Sequence, residues 1–391
     1  MDTTKAGTGF FAEFPPVSKE EWLQKISKDL KGKPLEDLDW HVSEHFAVSP
    51  FAHADDFPQP VPPLAAEPNR WEICEDVAAA DPVAANREAL AALEGGAEGL
   101  RFYVDRTPEA AYFSPLLDGI HLDYIGLHFS GKGVSANPGA IFAALEQQAK
   151  TKVIPASRLR GSLDYAPLSI AGIVDWRYLA DLTAYARQKF PGFRLVTISP
   201  APLPLPEEPE AGLTSLLQQG NRYLDNLAKR GVPPGEAAGI MQFSIAVGQN
   251  YFLEIARIRA FKLLWINVLK AWNAPLKYPM VAAHFRRDAY TDDLYTNMIR
   301  ATTMAMSAAL GGADRLTVLP YDAGRETKAA YPQAFSRRIA RNVQHLLKME
   351  SGFDRIQDPA AGSYYIEKLT LQLAEKTWKA FVSSPNQNSN N

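Results

Sequence analysis

The strongest constraint on the fold is a regular alternation, from about residue 99 onward, of short β-rich apolar runs with longer segments of helical periodicity. Strands separated by helices pair in parallel through right-handed crossovers. The runs that predict strands are Gly99–Val104, Leu122–Phe129, Gly161–Tyr165, Arg194–Ser199, Met241–Val247, Met280–Phe285, Arg315–Pro320 and Arg355–Asp358. Eight such units within roughly 280 residues predict an α/β chain folded as a (β/α)8 TIM barrel.

The segments between these strands carry apolar residues at i, i+3 and i+4, the spacing of an amphipathic helix. They are Pro138–Lys150, Asp175–Lys189, Gly212–Arg230, Tyr251–Trp272, Asp292–Leu310, Ser336–Glu350 and Tyr365–Phe381. A doubly wound open sheet is the alternative fold, and it would place a glycine-rich phosphate loop after the first strand. The sequence after Val104 reads DRTPEAAYFSP and contains no such loop, which favours the barrel.

The two ends of the chain differ from this regular region. A helix is predicted at Ser18–Leu30, and it is followed by a proline-rich run from Val48 to Pro68 that disfavours both helix and sheet. We expect residues 1–70 to form an extended N-terminal arm, which lies along its own domain or contacts a partner. Residues 71–382 should form the barrel, and the polar residues 383–391 should be disordered.

Composition excludes several classes of function. The 391 residues carry 41 basic and 44 acidic side chains, a balance that gives no support to binding of nucleic acid or an anionic membrane. The apolar segment Tyr251–Trp272 contains five charged residues, which a bilayer would penalise, so a buried soluble helix is predicted there. Cys74 is the single cysteine and the N-terminus lacks a signal pattern, which predicts a cytoplasmic protein without disulfides.

Few side chains suggest chemistry on their own. The histidines show no metal-binding spacing and no serine lies in a G-x-S-x-G turn, so neither a metal site nor a serine nucleophile is predicted. His284 and Ser199 each lie at the end of a predicted strand, where barrel enzymes place their active-site residues. They form a possible residual site at the barrel mouth, although a hydrogen-bonded structural role for His284 remains the alternative. The pair Gly311-Gly312 predicts a helix C-terminus.

Several long motifs resemble the barrel half of the methylmalonyl-CoA mutase family. They are EEWLQKISKDLKGKPLEDLDW at 20–40, GQNYFLEIARIRAFKLLWINVL at 248–269, DLYTNMIRATTMAMSAALGGADRLTVLPYD at 293–322 and FSRRIARNVQHLLKMESGFDRIQDPAAGSYYIEKLT at 335–370. The resemblance implies a barrel whose axis holds the CoA chain, with adenosylcobalamin on its C-terminal face, held by a separate flavodoxin-like domain. The sequence contains no D-x-H-x-x-G cobalt-ligand motif, so we expect no cofactor-binding residue in this chain.

The positions that match the family's catalytic residues have changed type. The family's W-T-I-R-Q-Y stretch matches residues 71–76, so Asp76 stands in place of the tyrosine that assists cobalt–carbon homolysis, and Cys74 in place of an arginine. The family's S-G-Y-H matches residues 199–202, which puts Pro202 in the position of the histidine that hydrogen-bonds the thioester carbonyl. Asp164 stands in place of a substrate-facing glutamine and Ala323 in place of a cobalamin-contacting glutamate.

Loss of several polar groups around one reacting centre indicates lost catalysis, since each such group commonly contributes about 3 kcal/mol to lowering the barrier. The resemblance therefore implies an accessory small subunit, which forms a heterodimer with a catalytic large subunit in an adenosylcobalamin-dependent methylmalonyl-CoA mutase. One alternative is an active acyl-CoA mutase of altered specificity, with cobalamin bound by another chain.

The other alternative is a barrel that binds a CoA thioester without catalysis. Small residues facing the axis would favour this alternative, and bulky residues would argue against it. Phe102, Tyr124, Phe243 and Phe285 favour a plugged barrel.

Overall fold

The computed structural model describes residues 16–57, 59, 61–65, 67–107, 109–169, 174–200, 208–328 and 330–384. Eight parallel strands close into a barrel in the order β10-β3-β4-β5-β6-β7-β8-β9. These strands are β3 (Glu72–Ala78), β4 (Gly99–Tyr103), β5 (Gly126–Ser130), β6 (Arg160–Tyr165), β7 (Gly192–Ile198), β8 (Met241–Val247), β9 (Val281–Phe285) and β10 (Arg315–Thr317). The predicted (β/α)8 barrel is confirmed.

One of the eight predicted strands is wrong, and one barrel strand was not predicted. Residues 355–358 form the end of a 3-10 turn and a loop, in which Asp358 has a φ of 44°, a value that no β-strand uses. The barrel instead begins with β3, which pairs with both β4 and β10. Its sequence EICEDVA carries three carboxylates, of which Glu72 and Asp76 face the barrel axis and Glu75 faces helix residues outside the barrel. This made it look unlike a buried strand.

The outer layer consists of helices that follow the strands. They are α2 (Pro82–Glu94), α3 (Ala110–Leu116), α4 (Lys132–Ala136), α5 (Pro138–Thr151), α6 (Trp176–Lys189), α7 (Pro209–Ala228), α8 (Pro234–Gly239), α9 (Tyr251–Ala271), α10 (Leu294–Gly311), α11 (Gln333–Met349) and α12 (Tyr364–Ser383). Gly312 ends α10 in the left-handed region with a φ of 86°, as the glycine pair predicted. Among the described helices, none has the length and apolar character that crossing a membrane requires.

The apolar core lies between the strands and the helices, not on the barrel axis. Phe243 on β8 packs against Phe261 and Trp265 of α9, with ring centroids 4.6 and 4.7 Å apart. Phe102 on β4 stacks against Phe129 on β5 in the same layer. Outward-facing strand residues therefore supply the hydrophobic stabilisation of the barrel.

The described part of the N-terminal arm packs on its own barrel. Its helix α1 (Lys19–Asp29) begins at the capping residue Ser18, close to the predicted bounds. A short antiparallel hairpin follows, formed by β1 (Trp40–Ser43) and β2 (Phe46–Val48), which the sequence did not predict. Further along, the Leu64 amide donates to Asp358 Oδ2 at 2.7 Å. The arm is thus anchored to the loop before α12.

Candidate functional site

Arg315 reaches across the barrel interior in the layer nearer the amino ends of the strands. Arg315 begins β10, and its Nη1 donates to Ser162 Oγ on β6 at 3.0 Å. In the strand order these two strands are four apart, on opposite sides of an eight-stranded barrel. Arg315 Nη1 also contacts His128 Nδ1 on β5, and His128 Nε2 lies 2.6 Å from Glu72 Oε1 on β3. The layer is a continuous hydrogen-bonded chain across the bore.

The contacts of His128 define its protonation state. A guanidinium can only donate, so the Nδ1 atom beside Arg315 must be an acceptor and carries no proton. Nε2 then carries the proton and donates to the Glu72 carboxylate. Burial, together with the charge of Arg315, lowers the pKa of His128 and keeps the ring neutral. Burial alone would raise the pKa of Glu72, but the contact with His128 and the charge of Arg315 lower it.

A second charged layer lies nearer the carboxyl ends of the strands. Arg101 on β4 binds the Asp76 carboxylate through two hydrogen bonds, Nε to Oδ1 and Nη2 to Oδ2, both 2.8 Å. Its Nη1 lies 3.9 Å from Asp164 Oδ2 on β6. Asp164 Oδ1 in turn accepts from Thr197 Oγ1 at 2.9 Å, and Gln242 Nε2 donates to the same hydroxyl. This layer joins β3, β4, β6, β7 and β8.

The two layers fill the bore with charged and polar side chains. Arg315 is 2% exposed and Gln242 is fully buried, so both are enclosed by the barrel. Burial opposes ionisation of Asp164, but the charges of Arg101 and Arg315 outweigh it and lower the pKa of this carboxyl. Enclosed ion pairs of this kind depend on hydrogen bonds to their charged groups, and Asp76 and Asp164 receive such bonds here from Arg101 and Thr197, while Gln242 Oε1 has no partner. An extended ligand that followed this axis would have to displace Arg315, which reaches the opposite strand.

The structure brings three of the positions that the sequence singled out near one another, either through Arg101 or through a shared cavity. Asp76 and Asp164 share Arg101, and Ala323 lines a cavity of about 410 Å³ at the barrel mouth with Asp76. His284 contacts Ser244 at 3.2 Å, and burial, with a smaller contribution from Arg101, lowers the pKa of this ring to about 4. Pro202 lies outside the described residues.

Ser199 contacts the following helix through its backbone. Its backbone carbonyl accepts a hydrogen bond from Gln219 Nε2 on α7 at 2.8 Å, which ties the end of β7 to the following helix. His284 makes its hydrogen bond to Ser244 on the neighbouring strand β8. The contact of His284 is of the kind expected from its structural alternative, and the role of Ser199 stays a prediction.

The aromatic residues that favoured a plugged barrel do not face the axis. Phe102 and Phe243 pack in the outer apolar layer, and Phe285 contacts Tyr290 after the end of its own strand. Tyr124 lies before β5 and is 69% exposed. The reasoning from these residues was wrong because adjacent strand residues point to opposite faces, and the phenylalanines occupy the outer one.

Among the described residues, one group of side chains has the composition of a metal site. Atoms of Glu72, Cys74 and His128 that could act as ligands lie within 4.8 Å of one another. Metal binding would require a thiolate, and burial raises the pKa of the Cys74 thiol to about 12. A cation here would also lie beside the Arg315 guanidinium. The donor set therefore fits the hydrogen-bonded layer better than a metal.

Sequence reasoning missed three residues that form the hydrogen-bonded layers of the bore: Arg101, His128 and Arg315. Each is next to apolar residues in its strand, as the sequences GLRFY, GLHFS and RLT show. Because side chains alternate between the two faces of a strand, each of these residues points to the face opposite to its apolar neighbours. A charged residue that alternates with buried apolar ones in a parallel strand must face a polar interior. That pattern, compared between strands, could have identified the charged bore.

Comparisons with known proteins agree with this architecture. The family model of methylmalonyl-CoA mutase matches residues 109–384. The methylmalonyl-CoA mutase small subunit of Porphyromonas gingivalis is 34% identical over 405 residues, covering 95% of this chain and 63% of that protein. The small subunit of Streptomyces virginiae is 29% identical, covering 96% of this chain and 64% of that protein. The large subunit from the same organism is 27% identical, with 93% and 56% covered.

This chain thus spans about three fifths of the length of the curated small subunits it matches. The matched region includes the strands from β5 onward and the helices that surround them. On the extent of this match, the chain belongs to the methylmalonyl-CoA mutase family.

Proposed function

We propose that this chain is an accessory, non-catalytic small subunit of a heterodimeric, adenosylcobalamin-dependent methylmalonyl-CoA mutase. The observation that carries the proposal is the crossed bore, in which Arg315 reaches from β10 to Ser162 on the opposite strand. The family's substrate requires an open axis, and here that axis holds buried hydrogen bonds. Names of similar proteins, which include small subunits from two organisms, support the same role.

The residues at the barrel mouth do not fit the family's cofactor chemistry. Asp76 stands where the family has a tyrosine, and both of its oxygens are held by Arg101. His284 is neutral at physiological pH and is bonded to Ser244. Neither side chain is free to assist a reaction at a bound cofactor. Adenosylcobalamin and the acyl-CoA are therefore assigned to the complex and its other subunit.

The expected partner is a catalytic large subunit with the same barrel. A small and a large subunit occur side by side among the similar proteins of Streptomyces virginiae. The proposed division of the chain is an arm at 1–70, a barrel at 71–382 and a tail at 383–391. A cytoplasmic location belongs to the proposal, since the only cysteine is a buried free thiol.

The test is co-expression with the large subunit of the same source, followed by assay with adenosylcobalamin and methylmalonyl-CoA. We expect a stable 1:1 complex whose turnover changes less than about twofold in Asp76→Asn and His284→Gln variants of this chain. A catalytic role would lower turnover on the order of a hundredfold or more. Turnover by this chain with only a separate cobalamin-binding domain added would overturn the proposal in favour of an active mutase.

A matched control addresses the alternative of a binding barrel. Isothermal titration of the isolated chain with methylmalonyl-CoA, in buffer that contains a saturating concentration of inorganic phosphate, should show no saturable binding, because the bore is filled. Saturable binding under these conditions would show that the crossed bore does not exclude the ligand, and the CoA-binding alternative would stand.

A further inference from the structure

A cavity of about 370 Å³ opens at the C-terminal face of the barrel, to one side of the bore. Three consecutive β/α units meet there, because the cavity is lined by the loops after β8 and β9 and by the first turn of α7. The β1–β2 hairpin of the arm contributes Val42 to the wall. Of the described positions in the mutase comparison, Asp76, Asp164 and Ala323 do not line this cavity.

The two longest neighbouring helices begin at this cavity without side-chain caps. The 20-residue helix α7 starts after Glu208, and the 21-residue helix α9 starts after Asn250; neither residue caps its helix through its side chain. By contrast, Asp293 accepts two first-turn amides of α10. Uncapped helix starts present unsatisfied N–H groups and a partial positive charge. Two of them here face one space.

A buried arginine with unused donors is the second, independent observation. Arg257 lines the cavity and is 7% exposed. Its Nη1 donates to Glu254 Oε2 at 2.6 Å and to the Ala246 carbonyl at 3.3 Å. Its Nε has no hydrogen-bond partner, and its Nη2 lies 3.9 Å from the position that a Cβ on Gly212 would take. The Nε atom is enclosed by protein, so Nη2, which lies beside the lining residue Gly212, is the donor that a ligand in the cavity would reach.

The three carboxylates that line the cavity do not supply an acceptor for that donor. Each carboxylate that lines it already has a protein partner, as in the pairs Glu208–Ser43, Glu254–Arg257 and Asp288–Arg286. Arg286 adds a second guanidinium to the wall and is only partly buried. What the cavity lacks is therefore an oxygen acceptor that reaches Arg257 and the two helix starts.

We propose that this cavity binds a small-molecule oxyanion, a phosphate or carboxylate group, between Arg257, Arg286 and the N-termini of α7 and α9. The volume accommodates such a group with a few further atoms attached. Helix N-termini combined with arginine are a recurrent arrangement for oxyanion binding. The proposal concerns this barrel alone and does not depend on whether the chain is an accessory subunit.

The test uses the full chain and inorganic phosphate, with acetate as the carboxylate probe and chloride at matched ionic strength as the reference. Thermal unfolding and phosphorus NMR line width report binding. We expect wild type to gain several degrees in Tm with 10 mM phosphate or acetate and to broaden the phosphate signal. An equal response to chloride would overturn the proposal.

Two substitutions at Gly212 distinguish the effect of an added negative charge from the effect of an added side chain. Gly212→Asp places a carboxylate next to Arg257 Nη2, so it should raise Tm without phosphate and abolish the response to phosphate. Gly212→Ala adds only a methyl group in ordinary van der Waals contact with that atom and should keep at least half of the response. A full response in Gly212→Asp, or an equal loss in both variants, would contradict the assignment.

A further variant covers the case in which Gly212 substitutions disturb α7. Arg286→Gln removes a partly exposed guanidinium whose recorded ion pair is with Asp288. We expect its Tm without phosphate to stay within about one degree of wild type and its phosphate affinity to fall severalfold. Unchanged affinity would remove Arg286 from the site and overturn the proposal as stated.

Discussion

The two faces of the barrel wall use opposite chemistry in the same strands. The outer face of β8 carries Phe243 against the aromatic side chains of α9, while its inner face carries Gln242 in a hydrogen-bonded layer. The outer layer gains its stability from apolar burial, which tolerates changes of shape and is insensitive to pH. The inner layer depends on each charge keeping its partner. A barrel can thus be both well packed and closed to ligands.

Removing the arginine that crosses the bore should have the largest effect. Arg315→Met leaves Glu72 and His128 buried without their cation, and we expect the free energy of unfolding to fall by about 3–5 kcal/mol. Denaturant unfolding of the single variant measures this loss. The double variant Arg315→Met with Glu72→Gln should recover part of it, because no uncompensated charge remains. A loss below about 1 kcal/mol for the single variant would show that the inner layer is not held by charge.

The inner layer should also make stability depend on pH. In the unfolded chain His284 takes up a proton near its ordinary pKa, whereas in the fold the ring, which faces Arg101, Asp76 and Asp164, stays neutral down to about pH 4. Stability is therefore lost as pH falls below about 6.5, by roughly 2 kcal/mol between pH 7 and 5. Unfolding of His284→Gln at both pH values should show a loss smaller by that amount. An identical pH dependence in both proteins would contradict the buried, neutral ring.

The outer layer should give the smallest effect and no pH dependence. Phe243→Leu keeps an apolar side chain in the aromatic cluster with Phe261 and Trp265, so we expect a loss of about 1 kcal/mol. The loss should be the same at pH 7 and 5, as measured by denaturant unfolding. A pH-dependent loss would mean that the two faces of the wall are coupled more tightly than their chemistry suggests.

Helices and the barrel class were predictable because their periodicity follows directly from burial. The prediction of α9 as Tyr251–Trp272 differs from the observed helix by one residue, despite its five charged side chains. The failure at β3 has a physical cause: a strand with carboxylates at Glu72, Glu75 and Asp76 does not look apolar. Glu75 faces outward to Arg337 and Arg341 of α11, while the other two face the bore.

The sequence identified positions in the site but not the residues that they contact in the fold. The resemblance pointed to Asp76 and Asp164 separately, and only the closed strand order places Arg101 between them. Contacts of this kind join residues far apart in sequence, such as Arg315 and Ser162, which are 153 residues apart. The inward or outward direction of each strand residue was also needed, and an error of one position reverses it.

The anchoring of the arm has a consequence for how the molecule comes apart. Asp358 accepts from the Leu64 amide of the arm and is also paired with the buried Arg259 of α9, whose other partner is Glu367 on α12. If the arm detached from the barrel, the ion pairs that Arg259 forms with Asp358 and Glu367 would become partly exposed. Proteolytic cleavage before Leu64 should therefore track global unfolding, so that protease resistance at this segment becomes a simple measure of whether the whole barrel is folded.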